Sequence, residues 1–228
     1  MSVLDRHPRP LAKVCGLTRE ADVTAALAAG ADLLGFVSHG VSPRHLADRS
    51  LVELTRQVHG RGGSSVLVVV DANRSTVEAL VDEGQIDAVQ LCGSEDPLDW
   101  EGAPFTLLRR IGVDAAAEEE AARWRSCAAA FVLDHPAAAG GTGRRVDAAL
   151  AAALAQRFPC LLAGGLDAAA VAAFERPELL LGFDASSRLE LEPGRKCPDA
   201  VLRFVEAAHT SRRPSDVQEG LAGDPKTR

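Results

Sequence analysis

The sequence offers little to a metal site or a disulfide framework. Its five cysteines, at positions 15, 92, 127, 160 and 197, are odd in number, widely spaced and without a C-x-x-C pair. That usage fits a reducing compartment and argues against both a zinc site and a secreted scaffold. No apolar h-region follows the first residues, MSVLDRHPRP, so no secretory leader is expected. No run of about 18 apolar residues exists, which removes a transmembrane span. Lys/Arg runs and aromatic residues interleaved with basic ones are missing too. With 25 Lys plus Arg against 32 Asp plus Glu, the formal net charge is −7. Such a chain repels nucleic acid and anionic lipid. A phosphorylated small molecule stays open as a partner, because backbone donors hold phosphate whatever the net charge. The expected setting is the cytoplasm.

What is present is a packed core in 228 residues, 46% of them hydrophobic. Short apolar runs recur every 20 to 35 residues, the spacing of successive βα units. Strands are expected near 11–15, 32–37, 65–70, 86–91, 105–111, 129–134, 159–163 and 179–184. Most are continuous rather than alternating, as strands covered on both faces are. Alanine-rich helical segments lie between them: 18–30, 46–59, 75–84, 114–126, 146–158, 167–174 and 198–209, with a short, weakly periodic piece at 95–100. Thr18 reads as the N-cap of the first helix and Gly30 as its C-cap. Eight strands alternating with eight helices predict a single-domain (β/α)8 TIM barrel over 11–208. An open doubly wound sheet is the alternative, but its glycine fingerprint is missing after the first strand. Residues 1–10 read as a loose N-terminal extension and 209–228 as a polar, disordered tail.

In such a barrel chemistry collects where strands end. Cys15 closes the first strand ahead of a glycine and a helix. Buried structural packing is the common role of a cysteine, but a helix N-terminus would lower the thiol pKa and make a base or nucleophile. Arg44 reads either as a surface arginine or as a planar fork for a carboxylate or phosphate over the mouth. Asp134 ends the sixth strand, as a helix cap or as a general acid held protonated by partial burial. Gly140-Gly141-Thr142-Gly143 follows as a loop able to close over a ligand. Gly164-Gly165 ends the seventh strand, and Ser186-Ser187 follows the eighth. Together they make a plausible phosphate cradle in the usual place for this fold.

Taken in order, these segments resemble the phosphoribosylanthranilate isomerase family. The matching pieces are Lys13-Val14-Cys15-Gly16-Leu17-Thr18, Gly30-Ala31-Asp32, Gly35-Phe36-Val37 and Ser42-Pro43-Arg44. They continue with Asp87-Ala88-Val89-Gln90-Leu91 and Gly93, then Leu133-Asp134 with the 140–143 loop. Gly164-Gly165-Leu166, Asp184-Ala185-Ser186-Ser187 and Pro193-Gly194-Arg195-Lys196 close the set. The resemblance implies Amadori isomerisation of N-(5′-phosphoribosyl)anthranilate in tryptophan biosynthesis, with no cofactor and no metal. By that likeness Cys15 would be the general base, Asp134 the general acid and Arg44 the partner of the anthranilate end. Gln90, Cys92 and Asp184 would contact substrate. Gly164, Gly165, Ser186 and Ser187 would hold the phosphate. The protein would act as a monomer or homodimer.

The chain departs from the family pattern at four places. Gln90-Leu91-Cys92-Gly93 stands where the family has Gln-Leu-His-Gly, and Asp71-Ala72-Asn73 where it has Phe-Val-Asn. Ser38-His39-Gly40 replaces an aromatic and a proline, and Arg188 replaces the glycine after the double serine. Two other readings share these residues. One is a paralogous isomerase acting on a different phosphorylated sugar. The other is a phosphosugar-binding barrel without catalysis, against which the retention of both Cys15 and Asp134 speaks.

Overall fold

The computed structural model describes residues 2–6, 10–136 and 145–211. Eight parallel strands close into a barrel in chain order: β1 (Leu11–Val14), β2 (Leu33–Ser38), β3 (Ser65–Val69), β4 (Ala88–Leu91), β5 (Thr106–Gly112), β6 (Ala130–Asp134), β7 (Cys160–Leu162) and β8 (Gly182–Ala185), which returns to β1. The open-sheet alternative is thereby excluded. Around them run α1 (Glu20–Ala28), α2 (Asp48–Gly60), α3 (Arg74–Gly84), α4 (Pro97–Trp100), α5 (Ala117–Arg123), α6 (Ala148–Ala155), α7 (Ala168–Ala172) and α8 (Pro198–Thr210). None of the described helices is long and apolar enough to cross a membrane.

The continuous apolar runs have a two-sided explanation. Outward residues such as Ala12, Val14, Phe36, Phe131 and Phe183 pack under the helices, while Leu11, Leu33, Val66, Leu108 and Val132 fill the lumen. Period two therefore operates, but both faces are dry and the sequence shows no alternation. Up the lumen the composition changes. The residues that continue the inward face toward the strand ends include Lys13, Cys15, Gln90, Asp134 and Asp184.

Several boundaries differ from expectation for identifiable reasons. Thr18 does not cap α1. Its hydroxyl donates to the Gly194 carbonyl at 2.5 Å, and the helix starts two residues later behind Arg19. Gly30 does terminate α1, in the left-handed conformation (φ +81°), with Gly30 N–H to Leu27 O and Ala31 N–H to Ala26 O forming a Schellman closure. The eighth strand begins at Gly182 rather than Leu179, because Pro177–Leu179 forms a 3₁₀ turn. An unanticipated hairpin, β9 (Glu190–Glu192) with β10 (Arg195–Lys196), follows β8. The N-terminal residues are not loose where described. Val3–Arg6 forms a 3₁₀ turn, and Val3, 3% exposed, packs into the lumen cluster. Helix α8 runs to Thr210; residues 212–228 and the 140–143 loop lie outside the described residues.

Candidate active site

One pocket occupies the mouth at the strand ends, enclosing about 820 Å³ of space continuous with solvent. All ten residues singled out from the sequence line it: Cys15, Arg44, Gln90, Cys92, Asp134, Gly164, Gly165, Asp184, Ser186 and Ser187. Strand order fixes their relative places. Because β7 and β8 lie between β6 and β1, the Gly164-Gly165 and Ser186-Ser187 loops sit between Asp134 and Cys15. Arg44, Gln90 and Cys92 come from the β2 and β4 side.

Cys15 lies just beyond β1, its N–H donating to Ala185 O at 2.9 Å. The helix expected to ionise it begins only at Glu20, with four residues intervening. What surrounds the sulfur is different. Burial pushes the thiol up, opposed first by Lys13, two residues earlier on the same face, and further by Lys196. Lys13 is fully buried and donates to Asp184 Oδ1 at 3.0 Å. That ion pair raises the ammonium against the pull of its own desolvation. Asp184 is itself pushed up by burial, with Lys13 opposing.

Asp134 ends β6 with its side chain 15% exposed. Its Oδ1 accepts from His135 N–H at 2.8 Å, and Arg110 Nε approaches Oδ2 at 3.4 Å. Arg110, which the sequence reading passed over, also donates to His135 O at 2.7 Å and lines the pocket.

Arg44 is buried rather than at the surface, and its fork is engaged. Nε and Nη2 donate to Glu190 Oε1 and Oε2 at 2.8 and 2.7 Å. Glu190 also accepts from Lys196 Nζ at 2.8 Å, and these two cations hold its carboxyl below the usual range despite burial. Lys196 reaches Ser186 O and Oγ at 3.2 and 3.4 Å. The β9–β10 hairpin thus ties the loop after β2 to the serine loop. Lys13, Arg44, Arg110 and Lys196 face Asp134, Asp184 and Glu190, an excess of one positive charge in a chain of net charge −7.

The departures from the family pattern also find places. Cys92 accepts from Gln90 Nε2 at 3.3 Å, and burial pushes its thiol up to about 12. Asp71 takes the left-handed conformation (φ +48°) and accepts from Ser94 N–H at 2.6 Å, packing against Gly93. Arg109 from β5 binds Glu95 Oε2 at 2.6 Å and Gly93 O at 2.9 Å, and Glu95 Oε1 accepts from Asp71 N–H at 2.9 Å, so the β3 and β4 loops are fastened together. His39 lines the mouth, whereas Arg188 is exposed on the 3₁₀ turn after Ser186 and does not line it. Among the described residues no group of three or more His, Cys, Asp and Glu side chains is arranged to hold a metal.

The family described as N-(5′-phosphoribosyl)anthranilate isomerase matches residues 12–207. A protein of that name from Azorhizobium caulinodans is 36% identical, over 91% of this chain and 96% of its own. Among solved structures, the phosphoribosyl anthranilate isomerase of Thermus thermophilus superposes with a TM-score of 0.75 at 27% identity, covering 86% of this chain and 97% of the other. Another isomerase of that name, solved with reduced 1-(o-carboxyphenylamino)-1-deoxyribulose 5-phosphate, gives 0.75 at 25% identity, with 87% and 97% covered.

Proposed function

Because the chain belongs to the N-(5′-phosphoribosyl)anthranilate isomerase family, we propose that its mouth pocket carries out the Amadori rearrangement with Cys15 and Asp134 as base and acid. The protein is an isomerase of tryptophan biosynthesis, converting N-(5′-phosphoribosyl)anthranilate to 1-(2-carboxyphenylamino)-1-deoxyribulose 5-phosphate. The observation that carries the division of labour is the arrangement around the mouth. A thiol and a carboxyl enter one pocket from β1 and β6, with two small-residue loops between them.

The chemistry needs both groups. Opening the aminofuranose ring requires a proton at the ring oxygen as the C1′–O bond breaks and the nitrogen lone pair forms the iminium. Asp134 supplies that proton. Removing the C2′ proton then gives the enolamine, which tautomerises to the ketose; the Cys15 thiolate is the base. The phosphate rests on the Gly164-Gly165 backbone and the Ser186 and Ser187 hydroxyls. Gly164 and Gly165 both have positive φ, +86° and +64°, and without side chains they admit close approach. The anthranilate end lies on the β2 and β4 side near Gln90 and Cys92. Glu190 holds one edge of Arg44, leaving the Nη1 edge for the substrate carboxylate. The reaction takes place in the cytoplasm.

The test is loss of phosphoribosylanthranilate fluorescence with purified protein, beside rescue of a tryptophan auxotroph lacking this step. Activity in both is expected. Soluble protein inactive in both would favour a different phosphorylated sugar or a barrel that binds one without catalysis.

A further inference from the structure

The middle of the barrel lumen holds a charge that packing does not require. Lys13 has no exposed surface, and its inward neighbours along β1 are Leu11 and Cys15. Branched aliphatic residues normally fill this layer of a barrel. A buried ammonium and its buried carboxylate partner often stabilise no more than an apolar pair of like volume. The Lys13–Asp184 pair does something an apolar pair could not: it fixes a cation beside a sulfur. Lys13 and Cys15 are successive inward-facing residues at the top of β1, and Asp184 Oδ1 holds the ammonium from β8 at 3.0 Å.

We propose that Lys13 is a positioning residue for the isomerisation, its ammonium anchored by Asp184 and serving as the fixed counter-charge of the Cys15 thiolate. The inference rests on the assignment of Cys15 as the base. Around the sulfur, Lys13 favours the thiolate most strongly and Asp184 opposes it, while Lys196 from β10 adds to Lys13. Arg44 from the loop after β2 and Cys92 from β4 also feel the sulfur's charge. Asp134 acts on Asp184 from β6, and Glu190 is neutralised by Arg44 and Lys196. The two members of the pair therefore act on Cys15 with opposite signs.

That opposition gives a test that a merely structural role would not pass. Cys15 alkylation by iodoacetamide is followed against pH by peptide mass spectrometry, in wild type, Lys13→Met/Asp184→Asn and Asp184→Asn. The double variant removes the pair without stranding a buried charge. Its alkylation midpoint should rise by roughly one pH unit, a tenfold loss of thiolate at a fixed lower pH. Alkylation there slows only about threefold, because a more basic thiolate is the better nucleophile. Asp184→Asn alone should move the midpoint down, and it keeps the test decisive if the double variant does not fold. A midpoint unmoved in either folded variant, or moved the same way in both, overturns the proposal. The kcat limb should follow the midpoint. If the midpoints move as stated and kcat does not, the counter-charge stands and the base role of Cys15 falls.

Discussion

A β-carbon built on Gly35 would lie 2.7 Å from the Cys15 sulfur and 3.0 Å from its Cα. The absence of a side chain on β2 is thus what lets the neighbouring strand deliver its sulfur to the mouth. Gly35→Ala forces the Cys15 backbone as well as its side chain to move. Overpacking of this kind costs about 1–3 kcal/mol, and here the displaced atom is the proposed base. A lower Tm with a disproportionate fall in kcat, tenfold or more, is expected. Thermal melts with steady-state kinetics check it, and a wild-type kcat would separate the sulfur from the reaction.

Arg44→Lys keeps a charge and loses the two-pronged contact to Glu190. A lysine offers a point charge in place of the fork, so the carboxylate end of the substrate should bind more weakly by roughly 1–3 kcal/mol. KM should rise while inorganic phosphate inhibits as before. Glu190→Gln should move KM in the same direction, because the guanidinium loses its ionic anchor. Inhibition by phosphate that weakens in Arg44→Lys would put the arginine at the other end of the substrate.

Gly165→Val places a branched side chain at a position with φ +64° in the proposed phosphate cradle. KM should rise sharply while the circular dichroism spectrum stays native. An unchanged KM in the folded variant would move the phosphate elsewhere.

The catalytic pair predicts a pH profile and an asymmetry. The Cys15 thiol is raised above its ordinary value by burial, so the thiolate fraction is still growing as pH climbs past neutrality. kcat should therefore increase with pH on the base limb. Cys15→Ser should lower kcat by roughly two to four orders of magnitude, the range that general-base catalysis contributes. Asp134→Asn should do comparable damage. An analogue whose ring is already open should restore turnover to Asp134→Asn far more than to Cys15→Ser; equal restoration would show the two roles to be misassigned.

The barrel was legible because its strands are buried on both faces and read as unbroken apolar runs of regular spacing. The mouth was legible because strand-end residues announce themselves: Cys15, Asp134 and the Gly164-Gly165 pair each interrupt an apolar run. Three things stayed hidden. Lys13 stands in the first matching segment without a role of its own, since its partner Asp184 is 171 residues away. Glu190 and Lys196 acquire their roles only once the β9–β10 hairpin folds over Arg44. Thr18 carried a sound capping signal, but tertiary contact with Gly194 claimed its hydroxyl. Local pattern reports local competition, and here a distant carbonyl won it.

Closure of β8 onto β1 also sets an order of assembly. As the chain leaves the ribosome, β1 emerges first and remains an unpaired edge until Gly182–Ala185 arrive to cover it. Contacts of that sequence separation form slowly, because a long loop must close before they repay it. Lys13 lacks its counter-ion in any nascent chain that stops short of Asp184. A truncated product or a folding intermediate lacking the last unit can hold much of the sheet and still lack the anchored counter-charge proposed for Cys15. Onset of turnover during refolding therefore reports the final seam of the barrel rather than its collapse.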